Sequence, residues 1–398
     1  MSAWINENPS YLEHLIPEYQ GNPLVEALNP PPADIGESFR MLALRPTYHP
    51  EELELPTSTR LLLPKRLESF MFPSVQHAEI HQRIYSQVIG GYCQRNPVNP
   101  NGRQQKSEDA EFNAAFYPDD VSRKHRPAEI SILTGESGMG TSSLIRAIMA
   151  SMGKQVIRHS NYLGETLNED QILYLMRKVP FQGGVAALSN SLVNHTDSLL
   201  LTSSYDKRFN KVSARKLDYT AGLRYIINNH NVGAIIIDDC QNLRTTKSYR
   251  WTELTDFTLN LHQEFGVPII LVGDKHTAEG LGNDRSIARS SVVHELQRPV
   301  GPGDISWSAF CKFVWKYQWL QKPKPLTDEI VKTLFSCTQG ITGSMITLFI
   351  SAQIEAILSG TEMVDAKLIE KIYRDQLHRF PTQKVVKPDM LRSIMLLK

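Results

Sequence analysis

The sequence lacks an excess of either charge: 43 Lys and Arg stand against 42 Asp and Glu, a formal net charge of +1. A chain that holds nucleic acid through its whole surface is excluded, and any phosphate-binding surface must be a local patch. Cysteine is scarce as well. Cys93, Cys240, Cys311 and Cys337 lie far apart and form no C-x-x-C pair, which argues against a zinc site or a disulfide framework and fits a reducing compartment. No apolar run approaches the roughly 20 residues that span a bilayer. The N-terminus, MSAWINENPSYLEHL, has no basic stretch followed by an apolar one, so no secretory signal is expected. There is no internal repeat. The expectation is a soluble cytoplasmic protein with no membrane partner.

What is present is a globular composition, 41% hydrophobic and 21% charged over 398 residues, enough for two or three domains with a real core. Residues 1–65 are rich in proline (NPPP at 29–32, RPTYHP at 45–50) and read as extended segments with short helices. Ile80, Ile84 and Val88 recur at a spacing of four, predicting a helix from Phe72 that stops at Gly90-Gly91. Residues 94–127 are polar and read as a linker. From Glu129 the pattern changes. EISILTGESGMGTSSLIRAIMASM reads as buried strand, glycine-rich turn and helix. QILYLM (171–176), GAIIIDD (233–239) and VPIILVGD (267–274) read as strands, and 216–231 and 252–265 as helices. Strands alternating with helices predict a parallel α/β sheet. From about Pro302 the pattern is helical. The expected boundaries are an N-terminal extension over 1–127, an α/β core over 128–300, a helical lid over 301–380 and a tail over 381–398.

The turn Gly135-Glu136-Ser137-Gly138-Met139-Gly140-Thr141-Ser142 fits the phosphate-loop frame G-x-x-x-x-G-K-[ST], except that Thr141 replaces the lysine. Glycines let backbone N–H groups turn towards phosphate oxygens, and the helix N-terminus adds a favourable dipole. Residues 135–143, Ser143 included, are the nucleotide-binding candidates, and Ser142 could ligate Mg2+. Thr141 donates a neutral hydrogen bond but cannot neutralise charge. Taken alone, a glycine- and serine-rich turn with no ligand is the competing reading. About 100 residues on, Ala234-Ile235-Ile236-Ile237-Asp238-Asp239 stands where an acidic Walker B strand belongs. Asp238 would hold the metal, and Asp239 sits where a glutamate usually polarises the attacking water. After the next strand, Asp274 occupies the sensor position, with Lys275 beside it as a charge donor or a solvated loop lysine. Together these predict an ATP- and Mg2+-binding P-loop fold, with Asp239 and Asp274 as catalytic candidates.

The chain resembles the TnsC/TniB family of transposon AAA+ regulators, TnsC more closely. The resemblance runs through YQGNPLVEAL (19–28), PSVQHAEIHQRIYSQVIGGYCQRNP (73–97), the phosphate loop, IIIDDCQNL, GVPIILVGD and CTQGITGSMITLFISAQIEAI (337–357). It implies an AAA+ core with a helical lid, partner-docking elements in the N-terminal extension, ATP binding, and a homo-oligomeric ring or helical filament on duplex DNA. It also implies recruitment of transposase in response to a TniQ-type target selector, in a bacterial cytoplasm. Arg285 and Arg289 match the family's basic stretch after the sensor strand. Arg289 is favoured as the finger that reaches a neighbour's phosphates. The family usually has the loop lysine and an Asp-Glu pair, so this chain's departures bear on turnover rather than fold.

For DNA, Arg177 and Lys178 and the run Asp206–Lys216 offer Lys207, Arg208, Lys211, Arg215 and Lys216 as sequence-independent phosphate contacts, multiplied by oligomerisation; a merely solvated charge run is the alternative. Three functional readings stand: a slow ATP-dependent regulator, a degenerate pseudo-ATPase adaptor with weak or absent hydrolysis, and an unrelated P-loop enzyme.

Overall fold

Apolar residues on successive strands sort onto two faces, and that alternation organises the larger part of the chain. The computed structural model describes residues 3–93, 95–98, 130–180, 184–209, 219–245, 249–282 and 285–377. They divide into two units, residues 1–43 with 71–297, and residues 44–70 with 298–398.

The first unit holds strands β1 (Ile5–Asn6), β2 (Ile130–Gly135), β3 (Val156–Tyr162), β4 (Glu165–Ile172), β5 (Tyr174–Lys178), β6 (Ala234–Asp238), β7 (Ile269–Gly273) and β8 (Ser291–Leu296). Five of them form one sheet in the order β5-β6-β7-β2-β8, every pairing parallel. Ile130, Ile132, Ile235, Ile237, Ile269 and Leu271 face one apolar cluster, completed by Leu188, Leu192, Leu254 and Phe257 from helices. Leu133, Ala234, Ile236, Ile270 and Val272 face the other, with Ile84, Val88, Leu144 and Ile148. A period of two on strands buried on both faces explains why they read as continuous apolar runs. The α/β core expected from sequence is present.

Three expectations change. QILYLM is not one strand: Ile172 ends β4, Tyr174 begins β5, and the two belong to different sheets, since β4 lies in a three-stranded sheet of order β1-β3-β4. An apolar run shows burial but not where a chain changes sheet. Gly90-Gly91 does not stop the helix, which runs from Val75 to Cys93. A Cβ on Gly91 would lie 2.6 Å from the Pro268 ring, so this glycine serves close packing instead. β8, absent from the sequence reading, closes the sheet beside β2.

The second unit packs helices Ile305–Val314, Asp328–Thr338, Thr342–Leu358 and Ala366–Ile372. Asp304, Thr327 and Asp365 cap three of them by accepting from Ser306 N, Ile330 N and Leu368 N, the role their short oxygen-bearing side chains favour. Trp315 stacks on Phe349 with centroids 4.7 Å apart. Residues 44–70 join this unit rather than the sheet: Arg60 forms a bidentate pair with Glu362 at 2.8 and 2.6 Å. Among the described residues no single helix is long and apolar enough to cross a membrane.

Candidate functional site

The glycine-rich turn leaves the C-terminal end of β2 and enters the helix Thr141–Met152. Gly138 and Gly140 adopt φ values of 90° and 88°, left-handed conformations that side chains resist. Met139 is 7% exposed and its N–H donates to Glu136 O at 3.0 Å. The turn is thus pinned through Met139 while Ser137 and Gly138 stay exposed. The first-turn amides that follow have no partner within the helix, which suits an anion. A Cβ on Gly135 would meet the Thr141 methyl at 3.1 Å, so that methyl rests over the strand end and position 141 contributes no charge. Ser143 is exposed.

The loop and the acidic strand meet. Ser142 Oγ donates to Asp238 Oδ1 at 2.8 Å across 96 residues of chain, and Asp238 is 1% exposed. The same oxygen accepts Asp239 N–H at 2.9 Å. The other, Oδ2, faces Arg146 Nη2 at 3.5 Å. Arg146 stands one turn beyond Ser142 on the same helix. Sequence reading missed it, although the spacing i, i+4 from Ser142 was available.

Asp239, just past β6, has φ 54°, a conformation aspartate tolerates better than most residues. Its Oδ2 pairs with Lys178 Nζ at 2.8 Å and its Oδ1 accepts Gln241 Nε2 at 3.0 Å. The Asp239 carboxylate raises the Lys178 ammonium above its ordinary pKa. Lys178 ends β5 in register with Asp238, so the strand pairing itself brings it to the acids. Lys178, expected at DNA, is engaged here. Arg177 is half-buried, with Nε donating to Ser191 O at 3.1 Å.

Asp274 caps the helix Lys275–Gly282, with Oδ1 accepting Thr277 N–H at 3.2 Å. Gly273 before it has no room for a side chain: a Cβ would collide with the Thr277 hydroxyl and lie 3.0 Å from Gln241 Oε1. Gln241 therefore lies between Asp239 and the end of β7, and its buried Oε1 has no hydrogen-bond partner among the described residues. It is a second site residue that sequence reading missed. Arg289 is exposed on the helix Arg285–Ser290 that leads into β8. Lys207 is exposed, and Arg208 shares its helix Ser204–Phe209. Lys211, Arg215 and Lys216 lie outside the described residues.

The two most distinctive sequence elements, around NPLVEAL and GGYCQRNP, meet each other. Asn22 Nδ2 donates to Tyr92 O and Asn96 Nδ2 to Gly21 O, both at 2.9 Å. Arg95 Nη1 donates to Val232 O at 2.6 Å, and Glu26 accepts from Tyr162 Oη at 2.6 Å. These residues tie the N-terminal segment to the sheet.

Residues 124–281 match the model of a family described as AAA domain. With the parallel strand order and the loop–acid contact, that gives the first unit a P-loop AAA+ fold. No curated protein matches the sequence. Among solved structures, a Walker-type ATPase of Pyrococcus abyssi is similar at 14% identity and TM-score 0.38, over 69% of this chain and 73% of that one. The ORC1 protein of Aeropyrum pernix in complex with DNA is similar at 13% identity and TM-score 0.44, over 80% and 69%. Hsp104 is similar at 10% identity and TM-score 0.36, over 77% and 48%.

Proposed function

We propose that the chain is a nucleotide-binding AAA+ regulator of DNA transposition. It assembles as a homo-oligomeric ring or helical filament on duplex DNA and links a TniQ-type selector to a transposase. The observation that carries nucleotide binding is the Ser142–Asp238 hydrogen bond at 2.8 Å beside two left-handed loop glycines. That pair is a ready site for Mg2+ next to a cradle for phosphate. The transposition role rests on the NPLVEAL and GGYCQRNP elements, and the DNA role on Lys207, Arg208, Lys211, Arg215 and Lys216. Arg289 is the residue proposed to complete a neighbour's site.

Turnover is slow in this reading. Position 141 supplies no cation, and both acids already have cationic partners, Asp238 in Arg146 and Asp239 in Lys178. The same observation favours the second reading, an adaptor that binds nucleotide without hydrolysing it. Calorimetry with ATP and Mg2+ tests the first step. Loss of a charge-assisted phosphate contact weakens binding about ten- to a hundred-fold, so Thr141→Lys should tighten it by that factor. An unchanged affinity would show that another cation already fills the role. Electron microscopy of the protein with duplex DNA and ATP tests assembly, and particles that remain single subunits would overturn it. Asp239→Glu restores reach but places a glutamate at a φ of 54°, so its gain in turnover should be smaller than that of Thr141→Lys.

A further inference from the structure

We propose that a cavity beside Arg177, separate from the glycine-rich loop, is a binding site for a phosphate group. The cavity has a volume of about 330 Å³ and its lining includes Arg146, Tyr174, Arg177, Lys178, His195 and Asp238. None of residues 135–143 lines it. Asp238 is the partition: Ser142 of the loop approaches Oδ1, and Arg146 approaches Oδ2 from the cavity. The position is at the sheet edge, since β5 is the outermost strand. Gln155, which also lines the cavity, donates from Nε2 to the Tyr174 carbonyl at 3.1 Å.

The charges there are unequal. Three cationic side chains and one carboxylate line the space. Lys178 is paired with Asp239, outside the lining, and Arg146 with Asp238. Arg177 has no carboxylate partner among the described residues; Nε donates to a backbone carbonyl, and the side chain lines the cavity. Burial lowers the proton affinity of Arg177. Burial and the Arg177 charge together bring His195 down to about 4, so the imidazole is neutral and the positive charge of the cavity comes from its arginines and lysine. A half-buried guanidinium without an anion is unfavourable, and its fork of donors matches phosphate oxygens in pairs. Tyr174 adds a hydroxyl donor. The volume lies at the lower end of the range for small-ligand sites, about 300–1,000 Å³. Space remains for a substituent on the phosphate.

The phosphate could belong to a small phosphorylated molecule or to a DNA backbone, and one experiment separates these from each other and from the glycine-rich loop. The full chain is titrated with inorganic phosphate by calorimetry, as wild type and Gly140→Ala, each with and without Arg177→Gln or Arg146→Gln. A short duplex is then titrated into the same proteins. Gly140→Ala strains the loop and removes its share of the binding, and Arg177→Gln should weaken the phosphate binding that survives in Gly140→Ala about tenfold or more. Should Arg177→Gln not fold for want of its bond to Ser191, the half-exposed Arg146→Gln must show the loss. A parallel loss for duplex identifies the backbone as the source, and an unchanged duplex affinity identifies a small ligand. Absence of phosphate binding, or binding lost in Gly140→Ala but kept in both arginine variants, overturns the proposal. A chain that binds no ATP can still pass, so this result is independent of the nucleotide reading.

Discussion

Each unit places an acid in a left-handed backbone conformation against a cation. In the first it is Asp239 with Lys178, in the second Glu362 with Arg60, with φ values of 54° and 55°. The backbone device is the same, and burial makes the difference. Arg60 and Glu362 side chains are 2% and 8% exposed; Lys178 and Asp239 are 62% and 27% exposed. Glu362 also accepts Gln321 N–H, and Arg60 also donates to Leu55 O and Trp319 O. The deep pair is saturated from every side and fixes how residues 44–70 lie on their helices. In the shallow pair the lysine is exposed and the half-buried Asp239 has one further side-chain partner, Gln241, beside the Ser142–Asp238 bond. Depth separates the two pairs.

Breaking the deep pair should have the largest effect. Arg60→Ala leaves a buried carboxylate without its cation, and such losses cost about 3–5 kcal/mol. Denaturant unfolding should show a drop of that size in the second unit. Replacing both partners by apolar residues of similar volume should recover most of it, since a buried pair is often no better than good packing. A single variant within about 1 kcal/mol of wild type would put the deep pair in the same class as the shallow one.

Acid should separate the units next. His77 and His195 in the first unit are pulled from 6.5 to about 4 by burial, and burial also lowers His81, His262 and His294. Their folded state favours the neutral ring. The stability they contribute is therefore whole above about 6.5 and is lost as pH falls through that value towards about 4. In the second unit the shifted acids are carboxyls. The Arg60 hydrogen bonds lower Glu362 and the Ser306 hydroxyl lowers Asp304, while Arg66 and Trp319 hydrogen bonds lower Glu52 against the opposing effect of burial. Their contribution is lost only as pH falls below the ordinary carboxylate range. Amide exchange, corrected for intrinsic rate, should show the sheet losing protection near pH 5 while the helices around Trp315 keep theirs. Equal losses would mean that the histidines are not what limits the first unit.

The sheet was legible because its strands are buried on both faces, and Ile235 to Ile237 and Ile269 to Val272 can hardly be read otherwise. The Ser142–Asp238 contact was legible as two motifs in order. β8 was not, since SVVHEL mixes apolar and polar residues and shows its place only once β2 is beside it. Nor was the passage from β4 to β5 at Leu173, where no turn residue marks the change of sheet. At the site, Arg146 was missed although helical spacing from Ser142 pointed to it, and other roles come from what the fold brings alongside. Lys178 reads as a surface cation until β5 pairs with β6 and sets it level with Asp238. Gln241 reads as a loop residue until the end of β7 comes within reach. NPLVEAL and GGYCQRNP read as recognition elements, yet the structure uses Asn22, Tyr92 and Arg95 for packing. A sequence signature can be strong because a joint requires it.

The smallest effect on stability should come from the shallow pair. Lys178 loses little by returning to water, and Asp239 keeps its bond to Gln241 at 3.0 Å. Exposed pairs contribute about 0.2–1 kcal/mol and less in high salt, so Lys178→Ala should stay within that range. A double-mutant cycle with Asp239→Asn isolates the coupling, because each change removes the contact without opening a cavity. The same cycle on Arg60 and Glu362 should give a coupling several-fold larger that is insensitive to salt. Should the Lys178–Asp239 coupling instead match the deep one and survive high salt, solvent does not reach that pair. Asp239 would then be locked to its lysine, and the adaptor reading would stand over the slow ATPase.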